Sequence, residues 1–391
     1  MKKHRIWYGI TTALIFFIYI LANRQEILVF LISLLIIPPI LIAVQLLVMR
    51  GMSINCHMKT GCRVDEKLPL TIEIERRSFF PMGALHLHIK IKNILYDSTQ
   101  IKEILLQPAE KKKMWFEYSL EMSDCGNVRV MVEDVWCYDL LGLFYRKIPI
   151  DMQMDTLVYP AQIKLNMQLM RRPQTSVTGN LYDHHRKGQD VSEVAELREY
   201  QEGDSLGKIH WKLSSKLDEL IVRDFGYPSN YTVLVLYDMM KNVDEMRISN
   251  QHNNAILAVT NEVSYRLMEL HVEHNVGRVF SGDIQILPVY SIASHEKMIY
   301  QLLCRPIAKK ENRGDTIYHF LQGNMRGEYT KIVYITTEYE ERTVRQLARE
   351  IDLTVIQVVD GADNVFVDTS GYSVIAVDAG NYKERVHNIA I

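Results

Sequence analysis

Residues 6–49 read IWYGITTALIFFIYILANRQEILVFLISLLIIPPILIAVQLLVM, and this stretch decides how the rest of the chain is held. Two uncharged runs, one from Ile6 to Ala22 and one from Ile27 to Met49, are parted by Asn23, Arg24, Gln25 and Glu26. A helix rises about 1.5 Å per residue, and about 20 apolar residues cross the hydrocarbon core of a bilayer. The second run meets that length. The first is at the short limit, with Trp7 and Tyr8 suited to the interface. A basic start, MKKHR, also suits a signal peptide, but a second run follows at once and Leu21-Ala22-Asn23 is a poor cleavage pattern. The expectation is a transmembrane helical hairpin over residues 1–50, kinked at Pro38 and Pro39. Lys2, Lys3 and Arg5 precede the hairpin, Arg50, Lys59 and Arg63 follow it, and only Arg24 lies between. The positive-inside rule then predicts a two-pass protein of the cell membrane, with the bulk of the chain cytoplasmic and the lipid bilayer as its first partner.

The remaining chain is long enough for more than one domain, and 48% hydrophobic residues supply its cores. The 45 Lys and Arg nearly balance the 47 Asp and Glu, which removes the basic excess expected of a nucleic-acid binder. Five cysteines form no C-x-x-C and no zinc spacing, so free thiols in a reducing compartment are expected.

Residues 51–160 alternate as strands do. LPLTIEIE (68–75), LHLHIKI (85–91), 115–120 and 128–135 follow a period of two, separated by turns at 80–83, 96–98 and 124–127. Such spacing predicts a β-sandwich-like domain. His86 and His88 share one strand face, read as solvated rather than as half a metal site. DLLGLF (139–144) reads as a tight turn packed by its neighbours, and VYP (158–160) closes the region.

Residues 161–228 read as a linker and a distinctive motif. ELREY (196–200) is a strand, Gln201-Glu202-Gly203 a turn, and Asp204 a helix N-cap, with Leu206, Ile209 and Leu213 on one helix face. ELIVRDF (219–225) is a second strand. Charge crowds this unit at Arg198, Glu199, Asp204, Lys208, Lys212, Arg223 and Asp224. One reading is a structural or docking surface in which Trp211 packs. The alternative is a hydrolytic enzyme using Asp204, His210 and the neighbouring carboxylates. At about 100° per residue, Asp204 and His210 would project from separated helix faces, so no catalytic constellation is expected.

Residues 229–391 alternate strand and helix: YTVLVLY (231–237), a long helix over 250–273, strands at 277–280 and 284–289, helices near 295–303 and 316–322, a strand at 331–336, a helix over 340–350, and strands at 353–359 and 372–377. That order predicts a mainly parallel, doubly wound α/β sheet. Neither G-x-G-x-x-G nor G-x-x-x-x-G-K-[ST] occurs, and no cofactor is expected.

The run from Leu197 through Asp204, Ile209-His210-Trp211-Lys212-Leu213-Ser214, and Leu220 to Phe225 resembles the bacterial family called domain of unknown function fifty-eight, whose signature runs L-R-x-Y-x-x-G-D, I-x-W-K-x-S-A, L-x-V-R-x-F. DLLGLF, VYP and the two-helix start resemble that family too. On this likeness the signature or docking residues are Arg198, Glu199, Tyr200, Gly203, Asp204, Trp211, Lys212, Ser214 and Arg223. His210 and Ser215 depart from the pattern, which has an acid and an alanine there. The resemblance implies a von Willebrand factor A-like domain over 229–391. Such domains bind a divalent cation through Asp-x-Ser-x-Ser. Here the run is Asp238-Met239-Met240-Lys241-Asn242, and Ile335-Thr336-Thr337-Glu338 stands where T-D-G is common, so a degenerate site without metal is expected. The resemblance further implies a MoxR-type AAA+ ATPase and a transglutaminase-like membrane protein as partners, a protein-binding or scaffold function, and an envelope-related or assembly role.

Overall fold

The computed structural model describes residues 2–78, 80–108, 111–168, 182–188, 194–199, 209–217, 219–228, 233–239, 250–280, 282–307, 315–323, 325, 328–361, 366–369, 371–384 and 386–390. They fall into two compact units, Met1–Ala161 with Leu302–Ile307, and Gln162–Gln301 with Ala308–Ile391.

The first unit begins with two helices, α1 (Lys2–Ala22) and α2 (Gln25–Arg50), both long and apolar enough to cross a membrane. Asn23 turns the chain between them in a left-handed conformation, φ 42°, and its N–H donates to the Tyr19 carbonyl at 2.9 Å. Most apolar side chains of α1 and about half of those of α2 are exposed, and few are buried.

Eight strands follow: β1 (Met52–Met58), β2 (Gly61–Arg63), β3 (Lys67–Arg76), β4 (Leu85–Asn93), β5 (Ser98–Leu106), β6 (Lys113–Glu121), β7 (Gly126–Tyr138) and β8 (Tyr145–Tyr159). They build a three-stranded sheet in the order β1-β3-β6 and a five-stranded sheet in the order β2-β8-β7-β4-β5, antiparallel except where β2 meets β8. The predicted alternation holds. Leu68, Leu70, Ile72 and Ile74 of β3 and Leu85, Leu87 and Ile89 of β4 are wholly buried, while their neighbours along each strand are partly exposed. Each sheet thus buries one face, as the strands of a sandwich do.

The reading of His86 and His88 as a solvated face is corrected. The adjacent strand β7 presents aromatic rings on the same face, so His88 lies 4.4 Å from the Trp136 ring and His86 4.8 Å from Tyr138. Cross-strand ring packing, not hydration, occupies them.

The second unit opens with β9 (Lys164–Gln168), β10 (Tyr182–Gly188), β11 (Val194–Glu199), the short helix α3 (Trp211–Leu217) and β12 (Ile221–Pro228). The three later strands form an antiparallel sheet ordered β10-β12-β11. Then come β13 (Val233–Tyr237), α4 (Asn250–Glu269), β14 (His274–Phe280), β15 (Asp283–Val289), α5 (Ile292–Cys304), α6 (Asp315–Gln322), β16 (Lys331–Thr336), α7 (Glu341–Ala348), β17 (Asp352–Val359), β18 (Phe366–Thr369), β19 (Tyr372–Asp378) and β20 (Val386–Ala390).

The main sheet runs β15-β14-β13-β16-β17-β19-β18. Its five inner strands are parallel, and β15 and β18 close the edges antiparallel. Every residue of β13 is buried, as a parallel strand covered on both faces requires. Leu234, Leu236, Ile332, Tyr334 and Leu353 share a core with Phe320 of α6 and Leu347 of α7. Helix α4 buries even His252, Asn253, Asn254 and Glu262, because it meets the main sheet and also β9, which pairs in parallel with β20.

Candidate functional site

Two places were marked by sequence, the signature unit and the carboxyl end of β13. In the signature unit the backbone registers Arg198 opposite Val222, Glu199 opposite Ile221 and Arg223 opposite Leu197, so these three share one antiparallel pair. Tyr200, Gly203, Asp204 and Lys208 lie outside the described residues.

The expected continuous helix carrying Ile209 and Leu213 on one face is corrected. Ile209 is extended, buried, and bridged antiparallel to Val222. The helix of the described residues starts at Trp211, and His210 stands in its N-cap position. There the His210 Nδ1 accepts the Leu213 N–H at 3.2 Å, its backbone N–H donates to the Ile221 carbonyl at 2.8 Å, and its carbonyl accepts the Ser214 N–H at 2.9 Å. A ring nitrogen engaged in capping is not free to act as a base on that side.

Ser214 is the second tie. It is buried, and its Oγ accepts the Ile221 N–H at 2.9 Å and returns a longer bond of 3.4 Å to the Ile221 carbonyl. Helix α3 is thereby stapled to the start of β12 through one hydroxyl. Trp211 and Lys212, on the same helix, are exposed. The expectation that Trp211 packs is overturned, since it is 62% exposed on the first turn of α3.

At the carboxyl end of β13 stands Asp238. The order of the main sheet reverses about β13, the place where ligands of open α/β sheets gather. Its carboxylate accepts the Tyr334 hydroxyl on one oxygen and the Thr316 backbone N–H, from the first turn of α6, at 3.3 Å on the other. The Asp238 N–H donates to the Ile335 carbonyl at 3.0 Å. The Thr316 hydroxyl accepts the Val279 N–H at 3.1 Å and donates to the Tyr237 carbonyl at 3.4 Å. Past β16, the Thr336 hydroxyl donates to the Glu338 carbonyl at 2.8 Å, and the Gln357 side chain donates to the Thr337 carbonyl at 3.1 Å. This arrangement joins β13, α6 and β16 by neutral donors around one carboxylate. Met240, Lys241 and Asn242 lie outside the described residues, and among the described residues no group of three or more His, Cys, Asp or Glu gathers to hold a metal ion.

Tyr334 and Thr316 were not anticipated, being far from Asp238 in sequence. The available signal was the tyrosine in KIVYIT, a polar-tipped residue inside a strand buried on both faces, which needs a partner for its hydroxyl. The five cysteines form no disulfide with one another. Burial pushes Cys56 and Cys137 up to about 11 and Cys125 up to about 12.

Comparison with solved structures gives partial superpositions. A cohesin module from a Clostridium perfringens glycoside hydrolase covers 28% of this chain and 96% of its own, with 7% identity and a TM-score of 0.21. The CARDB domain of a Pyrococcus furiosus protein covers 27% of this chain and 86% of its own, with 9% identity and a TM-score of 0.18. Scores of this size carry no argument. Among curated proteins, the uncharacterized protein YeaD of Bacillus subtilis (strain 168) is 23% identical over 220 residues. That alignment takes in 54% of this chain and spans only about half, 51%, of the relative's length. The family described as "Protein of unknown function DUF58" matches residues 196–383, a little under half of the chain, from within β11 to just past β19 and including both the signature unit and Asp238.

Proposed function

We propose that this chain is a membrane-anchored member of that family and works by binding other proteins rather than by turning over a substrate. Its partner is a MoxR-type AAA+ ATPase, with a transglutaminase-like membrane protein as a second, in an envelope-related or assembly role. The hairpin of α1 and α2 crosses the cell membrane twice and leaves both folded units in the cytoplasm. The second unit is von Willebrand factor A-like. Its strand order, with an antiparallel edge strand beside the second parallel strand, and the place of Asp238 at the carboxyl end of β13 support that reading.

The observation that carries the binding role is Trp211. An aromatic side chain held 62% exposed on a helix tied down by Ser214 and His210 is a preorganised anchor. Exposed tryptophans of this kind dominate protein interfaces when they find a pocket. Lys212 beside it supplies charge for steering.

The test is a photocrosslinking amino acid at position 215, exposed one turn along α3 from Trp211, in the full-length chain in native membranes, with and without ATP. The expected result is a crosslinked AAA+ ATPase whose yield responds to ATP and falls at least tenfold in a competition with unmodified protein but not with Trp211→Ala protein. Recovery of no ATPase, or equal competition by both proteins, contradicts the reading.

A further inference from the structure

We propose that the turn Asp139–Phe144 of the first unit is a membrane-inserting loop, dipping Leu140, Leu141 and Phe144 into the interface of the same bilayer that holds α1 and α2. The proposal rests on the membrane-anchored reading and goes beyond it. It assigns a lipid contact to the globular part.

The turn is rigid. The Asp139 N–H donates to the Phe144 carbonyl at 3.1 Å, its Oδ1 accepts the Phe144 N–H at 2.8 Å, and its carbonyl accepts the Gly142 N–H at 3.0 Å. Gly142 sits at φ +65°, a left-handed conformation that glycine adopts without strain. Leu143 turns inward and is buried. Leu140, Leu141 and Phe144 turn outward, 47%, 42% and 40% exposed. Three large apolar side chains held outward on a six-residue turn are an unusual expenditure for a water-facing loop.

The helices fix what this turn faces. The Gln45 side chain of α2 donates to the Cys137 carbonyl, and the Arg5 side chain of α1 donates to the Leu143 carbonyl, each at 2.5 Å. The Arg5 guanidinium also lies 5.5 Å from the Phe144 ring centroid. Asp139 and Leu140 line a small cleft with Leu41, Val44, Gln45 and Val48 of α2. At about 1.5 Å per residue, Leu41 and Val48 stand about 21 Å and about 32 Å along α2 from Ile27. The hydrocarbon core is about 30 Å thick. A turn packed on this part of α2 therefore meets the bilayer at its inner boundary, where leucine and phenylalanine enter and an arginine can reach phosphate. The occupant is a lipid surface because the face is continuous with the apolar surface of the two helices.

The test uses the full chain, with Cys56→Ser, Cys62→Ser and Cys304→Ser, reconstituted in vesicles of phosphatidylethanolamine and phosphatidylglycerol. A single added cysteine at Leu141, Ile101 or Leu35 carries an environment-sensitive fluorophore, and some of the lipid is brominated near the headgroup or deep in the chains. Cys125 and Cys137 are wholly buried, and the same chain without an added cysteine is carried through labelling as the blank. Ile101 is an exposed control on β5, paired with Lys90 and several residues along the strand from the end that meets Cys137. The expected result is strong quenching at Leu141 by the shallow bromines, at Leu35 by the deep ones, and none at Ile101. Quenching at Leu35 with none at Leu141 overturns the inserting loop and leaves the anchored reading standing. No quenching at Leu35 overturns both. Equal quenching at Leu141 and Ile101 also overturns the loop, as general adsorption.

Discussion

Three side chains carry much of the local order in the second unit, and each makes a different prediction. Ser214 is a buried hydroxyl serving the Ile221 N–H. Ser214→Ala leaves that donor buried without its partner, at a cost of about 1–3 kcal/mol. Hydrogen exchange at the Ile221 amide should accelerate strongly, while amides of β14 stay protected. His274 is buried, its Nδ1–H donating to the Val272 carbonyl and its Nε2 accepting the Ser264 hydroxyl at 2.8 Å, so the ring is neutral. Desolvation lowers its pKa from 6.5 to about 4. Between those values the unfolded chain binds a proton that the folded chain refuses. The neutral ring's contribution is thus full above pH 6.5 and shrinks as pH falls toward 4, by about 3 kcal/mol in all. Denaturation of the full chain in detergent at a series of pH values should show this slope, and His274→Gln should flatten it. Asp238 is held by Tyr334 and Thr316. Asp238→Ala should lower stability by about 2 kcal/mol, and calorimetry of the unsubstituted protein should show no stoichiometric Mg²⁺ heat. Of these residues His274 did not stand out in sequence, while Ser214 and Asp238 did so through the family likeness, which reads Asp238 as the first residue of a cation motif. The donors to Asp238 come from distant segments, and no local pattern announces them. His210 was misjudged because Asp204 is the more usual cap and hid the poorer one that begins α3.

At the scale of elements, legibility followed burial. Strands β3, β4 and β7 alternate because one face is core and the other is wet, and their runs were readable from that alone, though not their registers. Strand β16 was found with its full span, and the parallel order of the main sheet followed from the strand–helix rhythm. Strand β5, an edge strand with Ile101 and Leu105 exposed, keeps too weak an alternation to be read. Strand β20 escaped notice for a different reason. Its partner β9 precedes it by most of the unit, and a two-stranded parallel pair has no sequence signature of its own. Its member β9 packs on α4, which accounts for the buried asparagines there. Deleting residues 386–391 should therefore raise hydrogen exchange in Lys164–Gln168 and in α4 while leaving β17 protected. Unchanged exchange in α4 would show that the pair is an ornament to the fold.

The whole molecule sets a strongly apolar pair of helices against folded units whose charge is nearly balanced. Exposed isoleucine, leucine and phenylalanine along both helices form the apolar surface that the anchored reading assigns to a bilayer. The chain should stay with the membrane through alkaline carbonate and leave only with detergent. On the anchored reading, the distribution of lysine and arginine about the hairpin assigns the folded units to the cytoplasmic side. The most direct measurement is a pair of C-terminal fusions, one to green fluorescent protein and one to alkaline phosphatase, each expressed as the full-length chain in bacterial cells. The account predicts a fluorescent membrane fraction and an inactive phosphatase. An active phosphatase with a dark fluorescent protein would place the folded units outside and contradict it.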